Sequence, residues 1–252
     1  MAPIEVLAYR WLPRCGAIVA GLWIFSKVFD AAHERVFPMI YPRIIDRITI
    51  SVARVMTPIK RDLFADLPML QQRATRSGDD FTVLEIGVGT GANFKYYPEG
   101  TNLIPVDPME GFDSYIESST SKFSHIKIQK LVIAFGEDMR EVADNSVDVV
   151  VVTWVLCSVQ NADDVMNEIK RVLKPGGKFY FMEHTAALRN SWMYLIQRLL
   201  NPAWHKISGC SMAEETWKAI DEAGFSEVKY KRFSAPVTWP FIKPHLAGYA
   251  VK

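Results

Sequence analysis

From Phe81 to the C-terminus the chain alternates short apolar runs with helical stretches, and that alternation limits the folds open to it. The run Val147-Asp148-Val149-Val150-Val151-Val152-Thr153-Trp154 is β-branched and almost uninterrupted. A strand of that composition is buried on both faces, as strands of parallel sheets are. Further strand-like runs are Phe81–Ile86, Asn102–Val106, Ile126–Ala134 and Lys178–Glu183. Helical stretches lie between them, the clearest at Ala162–Leu173. Two more strands are expected at Glu227–Phe233 and Ala247–Val251. This order predicts an α/β fold with a mostly parallel sheet and helices on both of its faces.

The first eighty residues read differently. Cys15 to Phe25 carries no charge, with Arg10 and Arg14 before it and Lys27 after it. The run is about half of the ~20 residues that a spanning helix needs. No small-x-small cleavage site follows it, so a helix lying in a bilayer interface, anchored by Trp11, Trp23 and flanking basic residues, is preferred. A cleaved signal and a soluble docking helix are the alternatives. Ile44, Ile45, Ile48, Val52 and Val55 recur at helical spacing, which predicts an amphipathic helix over Arg43–Met56 ending before Thr57-Pro58. A second helix is expected from about Lys60, and Arg73–Asp80 is expected as a linker. The expected organisation is therefore a membrane-associating segment at 1–30, a helical extension at 31–80 and a catalytic domain at 81–252.

Composition excludes some partners. Hydrophobic residues make up 49% of the 252, which is enough for a sizeable core. The chain has 29 basic and 28 acidic residues, so it offers no overall electrostatic footprint for a long nucleic acid. The three cysteines, Cys15, Cys157 and Cys210, are odd in number and widely spaced. They read as free thiols in a reducing compartment, and no metal is expected from their spacing.

The first strand ends at Glu85-Ile86 and runs into Gly87-Val88-Gly89-Thr90-Gly91. Glycines there allow a tight strand-to-helix turn and close approach of a ligand to the backbone. Gly87, Gly89 and Ala92 also satisfy a loose dinucleotide fingerprint, and Asp107 after the second strand suits a ribose in either case. Three later elements follow in order: Gly136-Glu137-Asp138, Asp144-Asn145-Ser146-Val147-Asp148, and Arg171-Val172-Leu173-Lys174-Pro175-Gly176-Gly177. With the glycine loop, this set resembles the class I S-adenosylmethionine methyltransferases. The resemblance implies a Rossmann-like, seven-stranded, mostly parallel sheet closed by an antiparallel hairpin. It also implies that S-adenosylmethionine is the cofactor and S-adenosylhomocysteine the product. Glu85 and the Gly87–Gly91 loop would face the methionine half, and Asp107 would take both ribose hydroxyls. Pro108 and Met109 would lie beside the adenine. Gly136 with Glu137 or Asp138 would lie near the adenine amine, although Phe135 stands where the family often has a polar residue. Thr153 and Trp154 would meet the methionine backbone and the sulfonium, and a Trp face there offers cation–π attraction. The alternative for Trp154 is simple packing.

From Lys60-Arg61-Asp62-Leu63-Phe64 onward the chain is similar to the methyltransferase-like seven proteins, which are membrane-associated alkyl thiol S-methyltransferases. The stretches that carry this are Gly89–Lys95, Gly136–Met139, Val155–Val159, Phe179–His184, Pro202–His205 and Gly248–Lys252. The resemblance implies methyl transfer to small hydrophobic thiols. It places the activity at the endoplasmic reticulum membrane and lipid-droplet surface, with the catalytic domain toward the cytosol. A thiol must ionise before it attacks, so a base would help. His184, at the end of the fifth strand, is the candidate base, with a purely structural histidine as the alternative and His205 in reserve. Cys157 reads as a small packing residue in the substrate pocket. Ser191–His205, rich in apolar residues, is a candidate lid with Trp192 and Trp204 as pocket walls, or a helix packed on the sheet. Ser211 with Glu214 resembles a capping box.

Expected partners are thus a small thiol and a membrane surface, without nucleic acid. A quinone or another lipid-like carbon or oxygen acceptor fits the apolar lid and anchor equally well. RNA adenine methylation usually employs an Asp/Asn-Pro-Pro-aromatic element, and Thr153-Trp154-Val155-Leu156 stands in that place. A non-catalytic membrane adaptor is the remaining alternative.

Overall fold

Val147–Thr153 forms the central strand of a seven-stranded sheet, with valines buried toward both faces. The computed structural model describes residues 27–28, 31–32, 43, 52, 55–129 and 131–252. In chain order the strands are β1 (Thr82–Ile86), β2 (Asn102–Val106), β3 (Lys127–Ile128), β4 (Val147–Thr153), β5 (Leu173–His184), β6 (Glu227–Ser234) and β7 (Pro244–Val251). Their spatial order is β3-β2-β1-β4-β5-β7-β6. All neighbours from β3 to β5 run parallel, and β7 lies antiparallel between β5 and β6. The direction of winding reverses between β1 and β4. The crevice at the carboxyl ends of those strands is where such sheets bind ligands.

The described helices are α1 (residues 55–63), α2 (Leu67–Arg76), α3 (Asp113–Lys122), α4 (Ala162–Val172), α5 (Trp192–Ser208) and α6 (Thr216–Glu222). Helix α4 shows why its sequence is helical. Asn161 caps it by accepting from Asp163 N, acids fill its first turn and Lys170 and Arg171 its last. Val165, Met166, Ile169 and Val172 form its buried face, packed with Leu84, Ile86, Val150 and Val152. Each fully buried aliphatic side chain contributes about 1.5–3 kcal/mol. Arg171 then reaches back to Met139 O, Val142 O and Asp144, at 2.7–2.8 Å, and so fixes the segment before β4.

Several expectations shift. The third strand, expected over Ile126–Ala134, is only Lys127–Ile128 plus an isolated bridge between Val106 and Val132. It lies at the sheet edge and pairs with β2 alone, so a long apolar run there lacks a second neighbour to hold it straight. Strand β5 begins at Leu173, not Lys178, because the Lys174–Gly177 element is an irregularity in the pairing with β4. Strand β7 begins at Pro244, extended by pairing on both sides. Helix α1 runs through Thr57-Pro58, where an end was expected. Met56 on it is buried against Met182 and Ala235, with Ile59, Leu63 and Trp154 around them. Tertiary packing overrides the local break. Helix α2 occupies the first half of the expected linker. The Ser211–Glu214 box caps nothing: α6 starts at Thr216, and Ser211 Oγ donates to Asn201.

The chain divides into two compact units, residues 1–44 and 45–252, so the expected boundary at 80 falls inside the second. Asp66, between α1 and α2, accepts from Lys178 Nζ and Tyr180 Oη on β5, each at 2.6 Å. In the first unit Lys27, Val28, Ala31, Ala32 and Arg43 are described, and all five are helical. The expected interfacial helix at 15–25 and most of Arg43–Met56 lie outside the described residues. No helix among the described residues is long and apolar enough to cross a membrane.

Candidate active site

The turn after β1 is built from glycines because the backbone is left-handed at each of them and two of them have no room for a side chain. Gly87, Gly89 and Gly91 all have positive φ, at 66°, 50° and 79°. A Cβ on Gly87 would collide with Val155, and one on Gly91 would sit 2.6 Å from the Phe94 ring. The turn is held by Gly87 N and Val88 N, which donate to Val106 O on β2. Gly89 N donates to Asp107 Oδ2 at 3.1 Å, and Met109 N to Oδ1 at 3.0 Å. Asp107 is buried, and burial raises its pKa to about 6 against those two bonds. Each carboxylate oxygen takes one backbone N–H and keeps lone-pair capacity for a diol. Pro108 beside it is exposed and Met109 half-buried.

Glu85 is buried at the end of β1 and is fully engaged by the protein. Its Oε1 accepts from Asn93 Nδ2 at 2.8 Å and its Oε2 from Tyr97 Oη at 2.6 Å. Asn93 Nδ2 also donates to Thr153 Oγ1, and Asn93 Oδ1 accepts from Lys60 Nζ at 2.7 Å. Burial drives the Glu85 pKa upward and the Lys60 pKa downward, and each opposes the other's shift by its charge. Lys60, Asn93 and Tyr97 are absent from the residues expected at the site: Lys60 and Asn93 fall in stretches that carry the resemblance, but nothing in those stretches shows that their side chains meet Glu85. Glu85 thus ties the glycine turn to α1.

Trp154 has φ +60°, a strained conformation for a bulky residue. Its N–H donates to Met182 O and its indole Nε1 to His245 Nε2 at 3.0 Å. His245 Nδ1 faces Lys243 O at 3.1 Å, which sets the tautomer. Burial lowers the His245 pKa to about 4, so it remains a neutral acceptor. Lys60 Nζ stands 4.9 Å from the centre of the Trp154 ring. Glu183 on β5 is buried and accepts from Val155 N at 3.0 Å, with burial raising its pKa to about 7.

The residues expected near the adenine separate. Gly136 is buried against Ile86 and Val165. Glu137 Oε1 accepts from Gln160 N and Asn161 N, and its buried Oε2 has no partner among the described residues. Asp138 is exposed and paired with Arg140. Phe135 is exposed as well.

On the acceptor side His184 ends β5 and is buried. Its Nε2 lies 2.7 Å from Cys210 Sγ, and its Nδ1 has no partner among the described residues. Cys157, in the loop after β4, is buried beside them. His205 is exposed on α5. Trp204 is half-buried, with its ring edge-on to Phe241 at 5.5 Å. Trp192, expected on a pocket wall, is 69% exposed. Helix α5 starts where Ser191 Oγ accepts from Tyr194 N, and buried Gln197 anchors it through Ala187 N and Phe241 O. The side away from that anchor exposes Trp192, Leu195 and Leu199.

A parallel sheet reversing between β1 and β4, a glycine turn and a buried carboxylate after β2 make a Rossmann-like cofactor site, and β7 set antiparallel between β5 and β6, together with the family match to residues 84–181, makes it a class I, S-adenosylmethionine-dependent methyltransferase. Residues 84–181 match the family described as "Methyltransferase domain". The chain is 45% identical to human thiol S-methyltransferase TMT1A over 84% of its own length and 86% of that protein's. It is 40% identical to human thiol S-methyltransferase TMT1B over the same shares. The solved DszA carbon methyltransferase has the same fold, with a TM-score of 0.55 at 18% identity over 78% of this chain and 54% of that one. The chain belongs to the thiol S-methyltransferase family of TMT1A and TMT1B.

Proposed function

We propose that this protein transfers the methyl group of S-adenosylmethionine to the sulfur of a small apolar thiol at a membrane surface. The single observation that supports it best is 45% identity, across 84% of the chain, to a protein named for thiol S-methylation. The site agrees with it. Asp107 is placed to accept from a ribose diol, the glycine turn brings backbone close to the ligand, and Thr153 at the end of β4 is tied through Asn93 to Glu85 just before that turn. When bound, S-adenosylmethionine supplies a methyl group on a sulfonium centre.

The chain's own residues then position and ionise the acceptor. A free alkyl thiol with a pKa of about 8.5 is only a few per cent thiolate at neutral pH. Alignment of the acceptor with the methyl group reduces the barrier further, by up to about 7–11 kcal/mol in well-oriented cases. Cys157, on the loop that packs over the glycine turn through Val155, clusters with His184 at the end of β5 and with Cys210 after α5. His184, expected as a base, has its Nε2 against Cys210 and not open to an incoming thiol. The exposed apolar side of α5 supports the membrane surface. We extend the proposal to the location that the family resemblance implies: the endoplasmic reticulum membrane and lipid droplets, with the catalytic domain toward the cytosol.

The test is a panel of aliphatic thiols beside a panel of quinols, with full-length protein and S-adenosylmethionine, read by mass spectrometry of the products. Thioether from the thiols is expected. Methylated quinol without any thioether would overturn the thiol assignment.

A further inference from the structure

The three reactive side chains on the acceptor side come from three separate parts of the fold. Cys157 lies in the loop after β4, His184 is the last residue of β5, and Cys210 follows α5. Gly209, at φ 71°, ends α5 and turns the chain back. Ser211 N then donates to Cys157 O at 2.7 Å, which fastens the Cys210 segment to the Cys157 loop. The result is that one nitrogen of His184 and the two sulfurs lie within 4.8 Å of one another.

These atoms have little else to bind. His184 Nδ1 is buried without a partner among the described residues, and Nε2 meets only a thiol, at 2.7 Å. The Cys157 sulfur touches Ser158 Oγ at 3.6 Å. A buried imidazole ordinarily has hydrogen-bond partners. Two soft sulfurs and one imidazole nitrogen facing one another form a donor set for a thiophilic divalent ion.

We infer that Cys157, His184 and Cys210 bind a zinc ion whose fourth position takes the acceptor thiol. Three protein ligands with one position left open is the pattern of catalytic zinc, and two cysteines with one histidine is a known set of that kind. Bonds of about 2.3 Å to sulfur and 2.0–2.1 Å to nitrogen give tetrahedral edges of about 3.5–3.8 Å. His184 and Cys210 therefore separate by about 1 Å when the ion enters, and the 4.8 Å limit on the cluster already spans the other edges. Both cysteines bind as thiolates and release their protons.

The assignment rests on the thiol reading of the function and supplies what that reading lacks. The acceptor thiol, bound at the open position, loses its proton to solvent and stays as thiolate, because a coordinating thiol is deprotonated outright. Its sulfur donates an electron pair to the methyl carbon. The new sulfur–carbon bond forms as the old bond to the sulfonium breaks, and that bond's electron pair neutralises the leaving sulfur. One proton is released in total, and nothing is oxidised or reduced. The thioether product has no thiolate charge and leaves the ion.

The test uses full-length protein in detergent, loaded with zinc and dialysed, with metal measured by mass spectrometry, alongside a cobalt-loaded sample followed by absorption spectroscopy. The expected result is about one ion per chain, as one such site requires. The cobalt sample should show thiolate-to-cobalt charge-transfer bands that change when a small thiol is added. Cys210→Ala and His184→Ala should lose the ion while still binding S-adenosylmethionine, which shows that they fold. Wild-type protein that takes up no ion and methylates thiols overturns the zinc site and leaves the function standing. Wild-type protein that binds the ion, changes its cobalt spectrum with a thiol and yet yields no thioether upholds the site and overturns the function. A Cys157–Cys210 disulfide in protein that methylates thiols overturns the site.

Discussion

The donor half and the acceptor half of this site are built in opposite ways. The donor half is local: Glu85, Gly87, Gly89 and Gly91 follow one another, and Asp107 ends the adjacent strand. The proposed acceptor half collects Cys157, His184 and Cys210 from three distant segments. A cofactor used by many enzymes can be held by a turn that survives as a motif. An acceptor that differs between enzymes is met by loops and helices at the sheet edge, which carry no shared spacing.

The largest expected effect separates the halves outright. Asp107→Ala removes the anchors of Gly89 N and Met109 N and, on the proposed binding mode, both ribose acceptors. Hydrogen bonds to a charged group contribute about 1.5–3 kcal/mol each, so S-adenosylmethionine should bind about 10²–10⁴-fold more weakly by calorimetry. The acceptor cluster should be unaffected. Unchanged affinity would mean that the donor half lies elsewhere.

Next comes pH. Burial holds the Asp107 pKa at about 6, above its ordinary 3.8. Because the folded-state value is raised, ionising Asp107 opposes folding as pH rises from about 4 to 6. A ribose diol donating to the carboxylate favours the ionised form. Cofactor affinity should therefore be full above about pH 6 and fall below it, approaching tenfold per pH unit. Asp107→Asn should flatten that dependence, as titration calorimetry from pH 5 to 8 would show.

Tyr97→Phe sharpens the comparison from within the donor half. It removes the hydrogen bond to Glu85 Oε2 while leaving the ring packed. A loss of about 1.5–3 kcal/mol in urea unfolding is expected, with a smaller loss of cofactor affinity. The smallest effect on the fold is expected on α5. Leu199→Asp, at a residue 79% exposed, should change stability by less than about 0.5 kcal/mol yet reduce co-sedimentation with vesicles. Unchanged sedimentation would remove α5 from the membrane surface.

The same division governs what could be read beforehand. The central strands, the glycine turn, Asp107 and the hairpin order follow from residue pattern and resemblance, because each is encoded within a short window. The third strand is shorter than its apolar run predicts, because a run at a sheet edge has the same composition as one at the centre. The helix through Pro58 and the ties of Lys60 and Asn93 to Glu85 depend on packing between segments. Cys210 was counted but not placed, since only the turn at Gly209 and the bond from Ser211 N bring it beside His184. Trp192 belongs to an apolar stretch expected to wall the pocket, but the helix turns it outward.

The independence of the two halves is tested most directly by measuring S-adenosylmethionine affinity and thioether formation together in Cys210→Ala. Cofactor affinity within about twofold of wild type, with thioether formation reduced by at least the roughly 10²-fold that loss of an activating group costs, is the predicted result. Full thioether formation, or a folded variant that no longer binds the cofactor, would contradict it.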